Sequence, residues 1–183
     1  MSDEIVRFPD GFLWGTVTAA HQVEGNNTNS DWWDWEKQNG TVRDGSVSGN
    51  ACLHYDRFEE DFRLLKSLGV NAHRLSLEWS RLEPERGSWS HNAIKHYERV
   101  LESLAISGIV PFVTLHHYTV PRWFARQGGW ESDTAIEAFV EYVRRVVQLF
   151  GPVVQYWITF NAPILYAYHG WVLGIAPPGV RSW

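Results

Sequence analysis

The chain has one cysteine, Cys52, among its 183 residues. No disulfide can form within it, which excludes a disulfide-stapled scaffold and suits a reducing compartment. Positive charge is also scarce. Sixteen Lys and Arg stand against 21 Asp and Glu, for a net charge of -5, and the longest basic run is Arg144-Arg145. That leaves no footprint for a nucleic acid. No apolar run approaches the roughly 18 residues of a membrane span. The opening Met1-Ser2-Asp3-Glu4-Ile5 has neither the basic segment nor the apolar stretch of a secretory signal. The expectation is a cytoplasmic protein with no nucleic-acid partner and no membrane partner.

What is present is a globular composition, 44 % hydrophobic and 20 % charged, which argues against disorder. Eleven tryptophans help bring aromatic residues to 15 %. Two readings of them stay open: a core built from large side chains, or flat platforms on which the C–H faces of sugar rings stack.

Three segments begin at a glycine and continue as an apolar, β-branched run: Gly69 to Leu77, Gly108 to Leu115, and Gly151 to Phe160. The glycines lie 39 and 43 residues apart, and each is placed to end the preceding helix. Helical periodicity precedes each run. Phe58, Phe62, Leu65 and Leu68 share one face; Ile94, Tyr97, Leu101 and Leu104 share another, behind a candidate cap at Ser90. Ile136, Phe139, Val140, Val143 and Val147 form a third face behind Ser132. An earlier strand spans Phe12 to Thr18, and a polar segment of roughly residues 25 to 53 follows it, long enough to imply a function or mobility. The order β-α-β-α-β-α-β predicts parallel strands. A doubly wound sheet and a (β/α)8 barrel both fit that order. The first strand runs into Thr18-Ala19-Ala20-His21-Gln22, which offers no glycine-rich phosphate turn. The barrel is favoured and no cofactor is expected. A complete barrel takes about 250 residues, so residues 1–183 predict a single domain equal to about the first half of a TIM barrel, with four parallel strands.

In such barrels the chemistry sits at the C-terminal ends of the strands. Gln22 and Glu24 follow the first strand. Arg74, Ser76, Glu78 and Trp79, then Arg81, close the second; His116, His117 and Tyr118 the third; Asn161, Ala162 and Pro163 the fourth. Fixed amides, imidazoles and a guanidinium are what recognition of hydroxyl groups requires. Blander roles compete. Gln22 could bond loop backbone, Arg74 could pair with Glu78 or Glu24, and Asn161 could cap the next helix. Glu83-Pro84-Glu85-Arg86 reads as a solvated turn. His116 and His117 are adjacent and on a strand face opposite ways, so they do not share a metal and no metal is expected.

These segments resemble a known family. Phe8-Pro9-Asp10-Gly11-Phe12-Leu13-Trp14-Gly15 and Ala20-His21-Gln22-Val23-Glu24-Gly25 are similar to the opening of the family 1 glycoside hydrolases. His73 to Arg81 resembles their second strand, Thr114 to Pro121 their third, and Thr159-Phe160-Asn161-Ala162-Pro163 their Thr-Phe-Asn-Glu-Pro motif with one change. The resemblance implies a retaining β-glycosidase acting on β-glucosides or related sugars. It implies that Gln22 and His117 bind hydroxyls of the non-reducing sugar, that Asn161 contacts the 2-hydroxyl, and that Arg74 sits beside the nucleophilic carboxylate. Trp123 and Trp171 are candidates for the mouth. Ala162 occupies the position of the acid/base glutamate, and the Glu-Asn-Gly segment that carries the nucleophile does not occur in the sequence. A retaining mechanism needs both carboxylates, so the chain alone is expected to be inactive. The expected partners are a β-glycoside or monosaccharide and, for the open sheet edges, a second copy or a complementary barrel fragment. The alternative is a non-catalytic sugar-binding or self-assembling half-barrel.

Overall fold

The computed structural model describes residues 7–182. Residues 1–6, which include the segment read for a signal, and residue 183 lie outside that range. Among the described residues four strands form one parallel sheet in the order β1-β2-β3-β4. They are β1 (Gly15–Val17), β2 (Ala72–Ser76), β3 (Val110–His116) and β4 (Tyr156–Phe160). Strand order equal to chain order is what a barrel requires. A doubly wound sheet reverses direction at its switch point, and no reversal occurs here.

Between β1 and β2 lie α1 (Ala20–Val23), α2 (Asp31–Trp35) and α3 (His54–Ser67). Between β2 and β3 lie α4 (Trp79–Leu82) and α5 (His91–Ile106), and between β3 and β4 lie α6 (Arg122–Arg126) and α7 (Ala135–Phe150). The short α8 (Pro163–Ala167) follows β4 and runs into a π-type turn, Tyr168–Leu173. The long helices cover one face of the sheet. Phe58 and Phe62 of α3, Leu101 and Leu104 of α5, and Phe139, Tyr142 and Phe150 of α7 pack with Leu75, Val113 and Leu115 of the strands. The other face has little cover. Tyr156 is 39 % exposed and stacks on Phe112 at 4.5 Å, and Val17 is 59 % exposed.

Local chemistry sets the element limits. Ser90 accepts the Ala93 amide and starts α5 as expected. Gly69 and Gly108 adopt φ of +74° and +71° after α3 and α5, a conformation open to glycine at little cost. Gly151 differs: its φ is -53°, within the helical region, and a further turn separates it from β4. α7 also differs. Its cap position is Thr134 rather than Ser132, and its buried face is Ala135, Ala138, Phe139, Tyr142, Val146 and Phe150. Ile136, the first residue of the expected face, is 76 % exposed. The helix carries two apolar stripes, and the described core takes only one.

β1 is tied to β2 through a buried histidine. The His73 ring lies 2.8 Å from the Thr16 hydroxyl and 3.2 Å from that of Thr18. Burial pushes its pKa down to about 4, which keeps the ring neutral and able both to donate and to accept. The polar segment after β1 is docked. Asn29 donates to the Ser80 and Pro84 carbonyls at 3.2 and 2.9 Å, and Asp31 accepts the Val120 amide at 3.0 Å. Gly25 is required where it stands: its φ is +80°, and a Cβ there would lie 2.1 Å from the Asn50 carbonyl oxygen.

Candidate sugar site at the C-terminal strand ends

The register brings the expected residues to one end of the sheet. Val17 pairs with Arg74, Arg74 with Phe112, and His116 with Phe160. The Asn161 amide then donates to the His116 carbonyl at 2.9 Å. Arg74 lies in β2 and spans two strands. Its Nε donates to Thr114 Oγ1 at 2.9 Å and its Nη2 to Asn161 Oδ1 at 2.7 Å. It pairs with neither Glu78 nor Glu24; Arg81 is the partner of Glu24, at 2.7 Å. Asn161 is the acceptor for Arg74, and the cap position of α8 belongs to Ala162.

Gln22 and His117 line one cavity of about 260 Å3, with His21, Trp32, Tyr118, Thr119, Tyr166 and His169 among its other walls. The two histidines of β3 diverge as strand geometry demands. His116 is buried against the rings of Trp130, Phe160 and Tyr166 at centroid distances of 5.4, 5.0 and 4.9 Å. Burial drives its pKa down to about 3, and neither ring nitrogen has a hydrogen-bond partner. His117 stands at the cavity. Burial, and then the nearby Arg74 guanidinium, lower its pKa to about 4. At neutral pH its ring is uncharged, and its Nδ1 is buried without a hydrogen-bond partner. His117 also links the two groups: it shares a cavity with Gln22 and feels the charge of Arg74, which is bonded to Asn161.

Ala162 follows β4 with φ +40° and ψ +60°, a left-handed conformation costing an L-residue roughly 1–2 kcal/mol. Tyr118, after β3, has φ +68°. Both strained positions sit at strand ends beside the candidate residues, where such conformations are often retained for function. A methyl group at Ala162 has no proton to donate or accept.

Sequence reasoning missed part of the site. Trp32 comes from the polar segment, and His169, Ile175 and Ala176 come from the turn after α8; no periodic pattern marks either stretch. Of the two candidate mouth tryptophans, Trp123 is buried and donates to the Glu83 carbonyl at 2.9 Å. Trp171 lines a neighbouring cavity of about 200 Å3 that shares Tyr166 with the first. Glu83 itself is buried, and its side chain accepts from Trp79 Nε1 and the Gly87 amide, each at 2.7 Å. The segment read as a solvated turn is thus anchored in the core.

Behind the cavity lie three carboxyl groups. Burial raises Glu24 to about 7 against the opposing pull of Arg81, and raises Asp31 to about 8. Glu78 is buried beside both. Among the described residues no helix is long and apolar enough to cross a membrane.

Known proteins are similar to this chain in sequence and fold. Beta-glucosidase A of Thermotoga maritima is 37 % identical over 184 residues, an alignment that takes in 97 % of this chain and 41 % of that relative. A beta-glycosidase from Pyrococcus horikoshii superposes with a TM-score of 0.89 at 39 % identity, covering 96 % of this chain and 40 % of that one. A Thermotoga maritima beta-glucosidase in complex with castanospermine superposes at 0.94 with 36 % identity, covering 97 % and 42 %. The chain therefore spans about two fifths of the length of these relatives and corresponds to the first half of their barrel. With the glycosyl hydrolase family 1 model matching residues 5–183, and with four parallel strands in barrel order, the chain belongs to glycosyl hydrolase family 1.

Proposed function

We propose that residues 1–183 form one domain, the sugar-recognising N-terminal half of a retaining β-glycosidase barrel, and that this chain does not hydrolyse glycosides by itself. The observation that carries the reading is the cavity shared by Gln22 and His117 beside the bonded pair Arg74–Asn161. A planar amide and a neutral imidazole at one cavity offer donors and acceptors to vicinal hydroxyls. Trp32, Tyr118 and Tyr166 supply flat faces for the ring. In this reading Gln22 and His117 hold the non-reducing sugar, Asn161 meets its 2-hydroxyl, and Arg74 keeps Asn161 oriented beside the place of the nucleophile. The acid/base position is held by Ala162, and the sequence contains no Glu-Asn-Gly segment. Without a proton donor and a nucleophile, neither glycosylation nor deglycosylation proceeds. The single free cysteine, Cys52, agrees with a cytoplasmic setting.

The partner is a β-glycoside or monosaccharide. A Thermotoga maritima beta-glucosidase holds deoxynojirimycin, which makes that compound a suitable probe. Titration of the chain followed by ligand NMR is expected to show saturable binding that Gln22→Ala and His117→Ala each remove. Absence of saturable binding by the unmodified chain contradicts the reading. A second role, closing of the sheet by another copy or a complementary fragment, is favoured by the apolar residues on the open edges, Val17 on β1 and Tyr156 on β4.

A further inference from the structure

The polar network behind the cavity contains a carboxylate with no part in the sugar-contacting set. Glu78 follows β2, is 1 % exposed, and caps α4 by accepting the Ser80 amide. Its two oxygens bond different segments, one that lines the cavity and one that reaches a lining residue through Asn27. Oε2 accepts the Thr119 hydroxyl at 2.9 Å, and Thr119 lines the cavity two residues after His117. The Ser80 hydroxyl shares its one proton between two acceptors, Glu78 Oε1 at 2.7 Å and Asn27 Oδ1 at 2.9 Å. Asn27 Nδ2 lies 3.2 Å from His21 Nδ1. His21 lines the cavity immediately before Gln22. A third link leaves the backbone: the Glu78 amide donates to Tyr97 Oη at 3.0 Å, and the Tyr97 hydroxyl donates to Glu24 Oε1 at 2.8 Å. Glu24 ends α1, the helix that carries Gln22.

We infer that Glu78 is a positioning residue that holds the two walls of the cavity in one mutual register, through Thr119 on the His117 side and through Ser80, Asn27 and His21 on the Gln22 side. A buried carboxylate is costly unless its oxygens are occupied by donors. The Thr119 and Ser80 hydroxyl donors are therefore pinned to one group of fixed size. A ring bound between an amide and an imidazole tolerates displacements of only about 0.5 Å in either, so a shared anchor controls whether the two act on one sugar together. The hydrogen-bond path is a property of the free protein. Its consequence for affinity rests on the sugar reading given above.

The test uses the full chain without ligand, followed by histidine-ring 15N NMR. Thr119→Val removes the hydroxyl with little change of shape. It is expected to move the ring signals of His21, with which Thr119 shares no hydrogen bond, as well as those of His117. Thr119→Ser keeps the donor and is expected to leave His21 where it was. Ser80→Ala cuts the path, and in that background Thr119→Val is expected to leave His21 unmoved. Glu78→Gln provides a second route if the valine variant does not fold: it removes one acceptor, and the signals of both histidines are expected to move together. Confinement of the Thr119→Val effect to His117, or an effect on His21 that persists without Ser80, overturns the inference. In a second arm, deoxynojirimycin binding is expected to weaken about tenfold in Thr119→Val, the size of one hydrogen bond to a charged group, and to be retained in Thr119→Ser. Equal affinity of all three chains also overturns it. Absence of binding by the unmodified chain, with the His21 coupling intact, counts against the sugar reading and leaves the coupling established.

Discussion

At the scale of single residues, the Arg74–Asn161 bond organises the end of the sheet. Asn161→Ala leaves Arg74 Nη2 without its 2.7 Å acceptor. An abandoned, partly buried donor costs about 1–3 kcal/mol, so the urea midpoint is expected to fall; an unchanged midpoint means that water replaces the asparagine at no cost. Titrating groups give a second prediction. His73, His116 and His117 are held to about 4, 3 and 4 by burial. The unfolded chain takes up protons near 6.5, so their contribution is complete above that pH and is lost as pH falls toward 4. Glu24 and Asp31 have the opposite sign. Folded, they keep protons up to about 7 and 8, whereas free carboxyls lose them near 4.5 and 3.8. Their contribution is present at low pH and is lost as pH rises through 7 and 8. The two slopes oppose each other below 6.5, and above it the carboxyls alone remain. Stability is expected to decline from pH 6.5 to 8, and Asp31→Asn to flatten the decline; an unchanged slope in that variant contradicts the assignment. The placement of Gln22, Arg74, His117 and Asn161 toward one end of the sheet was legible in the sequence because the strand pattern there is regular. Trp32 and His169 were not, because only the tertiary fold of irregular segments brings them to the cavity. Glu83 was misread because a charged residue beside proline has the composition of a surface turn; its burial depends on an indole donor that no local pattern announces.

At the scale of elements, α5 is the most predictable part of the molecule. Its cap, its apolar stripe and its terminal glycine agree with one another, and consistency across levels marks a well-specified element. Ser90→Ala is expected to cost about 1 kcal/mol through loss of the cap, measured as a shift in the urea midpoint. Leu104→Ala, at a position with no exposure, is expected to cost about 2–5 kcal/mol. A cap variant more damaging than the core variant reverses the account of what holds the helix. α7 shows where pattern reading fails. Its sequence is apolar around much of its circumference, and periodicity cannot tell which stripe meets the described core. Phe139 and Tyr142 turn inward with Val146, and Ile136 is left at the surface.

At the scale of the whole molecule, strand order separates the barrel from the doubly wound sheet. The sequence alone left that choice to the missing phosphate turn; the hydrogen-bond register decides it. Four parallel strands leave two open edges and an incompletely covered face, and monomeric proteins rarely expose apolar patches larger than a few hundred Å2. Sedimentation velocity is expected to show self-association of the chain, relieved when the remaining part of a family 1 barrel is supplied. A compact monomer at all concentrations contradicts this.

We propose that this chain recognises a β-glycoside and, by itself, does not cleave it. The most direct test of this proposal is alkyl-glycoside turnover by the 183-residue chain, with and without Ala162→Glu, alone and mixed with the C-terminal part of a family 1 relative that carries the Glu-Asn-Gly segment. Positioned acid–base groups contribute about 10²- to 10⁴-fold, and alkyl leaving groups depend on them most. The account predicts no turnover by either form alone, and turnover in the mixture that rises steeply with the glutamate and rises less on aryl glycosides. Robust alkyl-glycoside hydrolysis by the unmodified chain alone would contradict it.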